Sequence, residues 1–130
     1  MKKPRINMTI IKEESGYSAT SKIKDLFIGT QGEDIVELKS NIVEAVNLAF
    51  EDKGITYEIN EIELNPDLQS FFEYYNVINS KTLSEKIKMD KTLLKQYISG
   101  EKKPTISQTK RIFRGVQQIG KELASAQFFV

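Results

Sequence analysis

Apolar residues alternate with polar ones at the start of the chain and later recur every three or four positions. That change of period divides the chain into elements. Ile6, Met8 and Ile10 share one side of the segment from Ile6 to Lys12, the period-two signature of a half-buried strand. Gly16 breaks the run, Tyr17 to Lys24 reads as the returning strand, and Leu26 to Gln31 as a third strand ending at Gly32. Asp34, with Glu37 three residues on, has the pattern of a helix cap. Ile35, Leu38, Ile42, Ala45, Val46, Ala49 and Phe50 then follow at helical spacing up to Gly54. Ile55, Tyr57 and Ile59 alternate again, which predicts a fourth strand. The first half therefore reads as β-β-β-α-β, one helix on a small, mostly antiparallel sheet.

Asn65-Pro66-Asp67 combines a cap, a proline suited to a first helical position and an acid for the first turn. A boundary is expected here, between residues 1–65 and 66–130. Everything beyond it reads as helix. Leu68, Phe71, Phe72 and Tyr75 form one stripe, and Thr82 with Glu85 has the form of a capping box. Asp90 opens a short helix that Gly100 stops, Pro104 prevents continuation, and Thr105 with Gln108 opens a last, long helix. The fold class expected is α+β: a sheet domain followed by an all-α domain.

Composition narrows the chemistry. The chain has 130 residues, no cysteine and no histidine. Disulfides, thiol nucleophiles and zinc sites built on thiolate or imidazole are excluded. No metal, cofactor or catalytic residue is expected, and an enzyme would have to work with carboxylates, lysines or tyrosines. No apolar run is long enough for a membrane span, so no membrane partner is expected and the compartment is expected to be the cytoplasm.

The net charge of +1 conceals an asymmetry. Residues 1–65 hold 8 Lys/Arg against 12 Asp/Glu, or −4; residues 66–130 hold 11 against 6, or +5. Between Lys81 and Lys121 the balance is 11 basic against Glu85, Asp90 and Glu101, or +8. A basic half suits a polyanion, and an acidic half suits a basic protein.

The face of the Lys91–Ser99 helix turned from its apolar side carries Lys91, Thr92, Lys95, Gln96 and Ser99, with no carboxylate among them. Lysine can reach guanine O6 and N7, glutamine can pair with adenine, and threonine offers a hydroxyl and a methyl group. Lys102 and Lys103, past the glycine stop, are placed for backbone phosphates. Lys110, Arg114, Gln117 and Lys121 form a second basic stripe that reads equally as a solvated face. The apolar ending Phe128-Phe129-Val130 is expected either to fold back on its own domain or, the preferred reading, to join a contact between two copies.

Two stretches resemble known families. LSEKIKMDKTLLKQYISGEKKPT is similar to the Cro and phage-repressor helix-turn-helix family: Leu83, Ile87, Met89, Leu94, Tyr97 and Ile98 follow its buried pattern, and Gly100 and Pro104 its closing turn. The resemblance implies operator binding by a dimer or higher oligomer, with Lys91, Thr92 and Lys95, and also Gln96, at base edges. GYSATSKIKDLFIGTQGEDIVELKSNIVEAVNLAFEDKG resembles the HicB-type antitoxins, through Gly16-Tyr17-Ser18, Thr30-Gln31-Gly32 with Glu33, and Asn41-Ile42-Val43-Glu44-Ala45. The family's usual proline-glycine is replaced here by Phe27-Ile28. That resemblance implies an RNase H-like domain without its active site, which binds and occludes a small, basic HicA-type ribonuclease toxin. The segment Ile6 to Ile11 carries no carboxylate, in keeping with such a loss. Glu37, Glu44 and Glu51, on the exposed side of their helix, are the first candidates for toxin contact. The expected function is thus an antitoxin that also represses its own operon. The rivals are a stand-alone transcription regulator whose sheet domain senses a small molecule, and a carboxylate-dependent hydrolase.

Overall fold

The computed structural model describes residues 3–129. These residues form a mixed α+β structure with a four-stranded sheet and five α-helices. The chain divides into two compact units, Met1–Tyr74 and Tyr75–Val130.

In the first unit β1 (Ile6–Lys12), β2 (Tyr17–Ile23) and β3 (Leu26–Gly32) form the expected antiparallel meander. Helix α1 (Ile35–Ala49) packs on one face. Asp34 caps it by accepting from the Glu37 N–H at 2.8 Å. Gly32 is needed where β3 meets this helix, because a Cβ there would lie 2.5 Å from the Leu38 backbone nitrogen. Met8, Ala19, Ile42 and Val46 are fully buried between sheet and helix, with Ile6, Ile28, Leu38 and Phe50 almost so. Burial of each large apolar side chain is worth roughly 1.5–3 kcal/mol.

The fourth strand is not where alternation predicted it. β4 is Ile62–Pro66, and it pairs parallel to β1, giving the order β3-β2-β1-β4. The expected strand at Ile55, Tyr57 and Ile59 instead satisfies its backbone away from the sheet. The Asn47 side chain donates to the Tyr57 carbonyl (3.1 Å) and accepts from the Tyr57 N–H (2.6 Å). The Glu58 N–H donates to the Glu61 carboxylate (2.9 Å), and Ile59–Glu61 closes into a 3-10 turn. Tyr57 is buried, its hydroxyl donates to the Pro4 carbonyl at 2.6 Å, and burial pushes its ionisation above the usual tyrosine value.

The expected boundary moves with that strand. Pro66 ends β4 instead of opening a helix, and the Asp67 N–H extends the ladder to the Ile10 carbonyl (2.7 Å). Asp67, not Asn65, caps α2 (Leu68–Tyr74), accepting from the Ser70 N–H at 2.9 Å. Both β4 and α2 thus fall in the first unit, and the units part after Tyr74, not at residue 65. Recounted on this division, the first unit holds 8 basic and 14 acidic residues, or −6. The second holds 11 and 4, or +7.

The second unit is built from α3 (Ser80–Ile87), α4 (Lys91–Ser99) and α5 (Ile106–Ala124). Asn79, not Thr82, caps α3; its side chain accepts from the N–H groups of Lys81 (2.9 Å) and Thr82 (3.2 Å). Leu83, Leu94 and Ile112 have no exposed surface, and Met89, Tyr97 and Thr109 are buried around them.

Candidate nucleic-acid interface

The turn between α3 and α4 is three residues long and depends on an unusual backbone. Lys88 closes α3 in the left-handed conformation (φ +55°), which directs the chain sharply into Met89 and the cap residue Asp90. Asp90 accepts from the Leu93 N–H at 3.0 Å, which fixes the start and rotation of α4. Gly100 ends it at φ +83°. On the inner side Leu94 is fully buried and Tyr97 nearly so, and the Tyr97 hydroxyl donates to the Gln108 side chain at 2.5 Å. Gln108 also belongs to the reciprocal cap with Thr105 that opens α5. The inner side of α4 is therefore fixed at both ends, and its outer side is set by elimination.

That outer side holds Lys91, Thr92, Lys95 and Ser99, all exposed, with Gln96 half-buried at its margin. Lys102 and Lys103 are exposed on the loop beyond, and the Lys102 N–H donates to the Gln96 carbonyl (3.1 Å), folding this loop back on the helix end. The structure thus brings together the seven residues proposed from sequence. They are not equivalent: the Ser99 hydroxyl donates to the Gln96 carbonyl (3.2 Å) and accepts from the Glu101 N–H (3.4 Å), so it serves the helix end. Three ammonium groups and a threonine hydroxyl remain for an external ligand on α4 and its loop start, joined by Lys103. Such a surface can neutralise phosphates and reach base edges.

Two of the four acidic groups of this unit are committed to structural partners. Asp90 is the cap, and Glu122 pairs with Lys86 at 3.1 Å, a hydrogen bond that holds its carboxyl below the usual range. The exposed stripe Lys110, Arg114, Gln117 and Lys121 lies on α5. Arg111 beside it is a residue that sequence reading missed. Its guanidinium donates to the carbonyls of Ile87 (2.5 Å from Nη2, 3.1 Å from Nε) and Lys88 (2.6 Å), closing the C-terminal end of α3 and steadying the turn. Nothing in its spacing distinguishes it from the neighbouring solvated cations. Arg111→Ala is expected to lower the thermal stability of this unit by about 1–2 kcal/mol, measurable by calorimetry, because it leaves helix-end carbonyls without a charged donor.

Of the acidic candidates, the Glu37 carboxylate accepts from the Glu33 N–H (3.3 Å) at the start of α1, while Glu44 on α1 and Glu51 just beyond it are exposed. At the chain's end Phe129 is 87% exposed; the Phe128 side chain and Val130 lie outside the described residues. No helix among the described residues is long and apolar enough to cross a membrane.

Comparison with known proteins returns no match: no protein-family model fits the chain, and no curated protein and no solved structure matches it. The resemblances described above therefore rest on the residues that carry them.

Proposed function

We propose that this chain is a cytoplasmic antitoxin of a type II toxin–antitoxin pair. Its acidic sheet unit binds a small, basic HicA-like ribonuclease toxin and occludes it. Its basic helical unit binds operator DNA as a dimer or higher oligomer and represses the operon. The observation that carries the reading is the exposed, carboxylate-free face of α4 with Lys91, Thr92 and Lys95, continued by Lys102 and Lys103, on a unit of charge +7. A short capped helix, a three-residue turn and a second capped helix are the parts of a helix-turn-helix, whose second helix enters the major groove.

The β-β-β-α-β order that opens the first unit, before α2, agrees with the reduced RNase H-like domain that the resemblance implies, and β1 carries no carboxylate for metal-assisted hydrolysis. A charge of −6 on that unit suits a basic partner.

The test is co-expression of the tagged full chain with the small reading frame beside its gene, followed by pull-down and growth assay. A stable complex, with toxicity relieved only when this chain is present, is the expected result. Operator binding by the same preparation is read by gel shift on the upstream region at two salt concentrations. No complex and no toxicity would overturn the antitoxin reading and leave a DNA-binding regulator whose sheet unit senses a small molecule.

A further inference from the structure

The two edges of the sheet are unlike. β4 spans five residues and carries Glu63 and Pro66, the kind of charge and proline that keep an edge from pairing with another chain. β3, at the other edge, runs for seven residues, Leu26-Phe27-Ile28-Gly29-Thr30-Gln31-Gly32, with no charge and no proline. Its pairing fixes which backbone groups face outward. Ile23 and Leu26 close the two-residue turn Lys24-Asp25, so they exchange hydrogen bonds, and so do Ser21 with Ile28 and Ala19 with Thr30. The intervening residues Phe27, Gly29 and Gln31 turn their N–H and C=O groups away from β2. The Asn41 side chain agrees with this phase, donating to the Gln31 carbonyl at 2.7 Å from α1.

That hydrogen bond also places one flank of α1 beside the β3 edge. Leu48 lies two turns further along the same flank, about 10 Å on, and α1 runs back along β3, so this distance spans about three strand residues. Leu48 therefore stands near Ile28 and is 70% exposed, while Phe27, on the opposite face of the sheet, is 66% exposed. Glu37 and Glu44 fall on the same side of α1 as Leu48 and continue it as an acidic stripe, and Glu51 stands exposed just past the helix end.

We infer that the β3 edge with this flank of α1 is a strand-addition site for an extended, basic segment of a protein partner. The incoming backbone bonds to the N–H and C=O of Phe27 and Gly29 and to the Gln31 N–H, the Gln31 carbonyl being already held by Asn41. Every second side chain faces α1, where an apolar one covers Leu48 and a lysine or arginine meets Glu44. Charge selects this occupant over a second copy. Symmetric antiparallel pairing of two β3 strands sets two α1 helices side by side on one face and brings their acidic flanks together. The partner's identity as a toxin rests on the antitoxin reading; the edge itself does not.

The test uses the full, isotope-labelled chain and a capped peptide of about eight residues, a typical strand length. In it every second position is threonine and the positions between alternate valine and lysine, so that one face carries both; the same peptide with glutamate for lysine is the control. Amide exchange at Phe27, Gly29 and Gln31 is expected to slow at least about tenfold with the lysine peptide and to be unchanged by the glutamate peptide. Gly29→Pro, which removes an outward N–H without touching the β2 ladder, should abolish the effect with the circular dichroism unchanged. Leu48→Lys, at an exposed position, should weaken it about tenfold and decides the matter should Gly29→Pro fail to fold. Absent or misplaced protection overturns the proposal. So does protection that rises with the protein's own concentration, since that assigns the edge to a second copy. Either failure leaves the co-expression result untouched, and the two readings fail separately.

Discussion

Gly115→Ala is expected to destabilise the helical unit by about 2 kcal/mol, while Gly120→Ala, five residues along the same helix, is expected to stabilise it by about 1 kcal/mol. Helix propensity alone gives both substitutions the same favourable sign, because alanine restricts the unfolded chain and forms helix more readily than glycine. Packing separates them. A Cβ on Gly115 would lie 2.4 Å from Ile87 Cγ2 and 2.8 Å from Leu83 Cδ1, far inside van der Waals contact, and Leu83 is fully buried against α3's neighbours. Relief requires α5 to move off α3 or the two side chains to leave their rotamers, and either outweighs the propensity gain. A Cβ on Gly120 meets nothing within 4 Å, so there the propensity term stands alone.

The effect should be large in practice because the second unit, Tyr75–Val130, is small, and small units hold little stability in reserve. A change of 1 kcal/mol moves the midpoint of a unit this size by roughly 4–8 °C. Thermal unfolding of the full chain, followed by the helical signal, should show the Gly115→Ala midpoint falling and the Gly120→Ala midpoint rising. Shifts of the same sign would mean that α3 and α5 do not cross at Gly115 as closely as described. The same crossing sets the platform behind α4, so under the proposed function the Gly115 variant should also lose operator binding while Gly120→Ala keeps it.

How much of this was legible in the sequence depends on whether local chemistry or distant partners decide each feature. The three strands of the meander, the Asp34, Asp90 and Thr105 caps and the Gly100 stop were all readable, because each depends on residues within one turn of one another. Because a cap fixes where a helix starts, it also fixes which residues share a face, and the exposed side of α4 followed. The fourth strand was misplaced by several residues. The alternation of Ile55, Tyr57 and Ile59 is real, but Asn47, ten residues away, occupies the Tyr57 backbone groups a ladder would have used. The domain boundary was misplaced with it, since Asn65-Pro66-Asp67 carries the chemistry of a helix start and Pro66 is tolerated only because β4 is an edge. Thr82 with Glu85 matched a capping box, yet Asn79 took the role one turn earlier. Leu48 reads in sequence as one more apolar residue of a helix; only the sheet order reveals that it stands beside an unguarded edge.

Lys95→Ala combined with Gln96→Ala is expected to remove operator preference, a loss of roughly ten- to a hundredfold on operator DNA with little change on unrelated DNA. Lys95 is exposed on the outer side of α4 and Gln96 half-buried at its margin, outside the buried set of Leu94 and Tyr97, so the fold should persist with at most a small change in melting temperature. Lys102→Ala combined with Lys103→Ala should behave differently. These two ammonium groups sit past the Gly100 stop, where the proposed reading assigns them to phosphate and not base, so affinity should fall to a similar degree on every sequence. The slope of log affinity against log salt should become shallower by about two, one for each phosphate contact removed. Competition binding on operator and scrambled duplexes at several salt concentrations distinguishes the two variants in one experiment. A uniform loss from the first pair would make the α4 face an electrostatic platform, not a reading surface, and operator choice would then have to come from DNA shape. An unchanged salt slope in the second pair would place the phosphates elsewhere, with Lys110, Arg114 and Lys121 of α5 the next to be replaced.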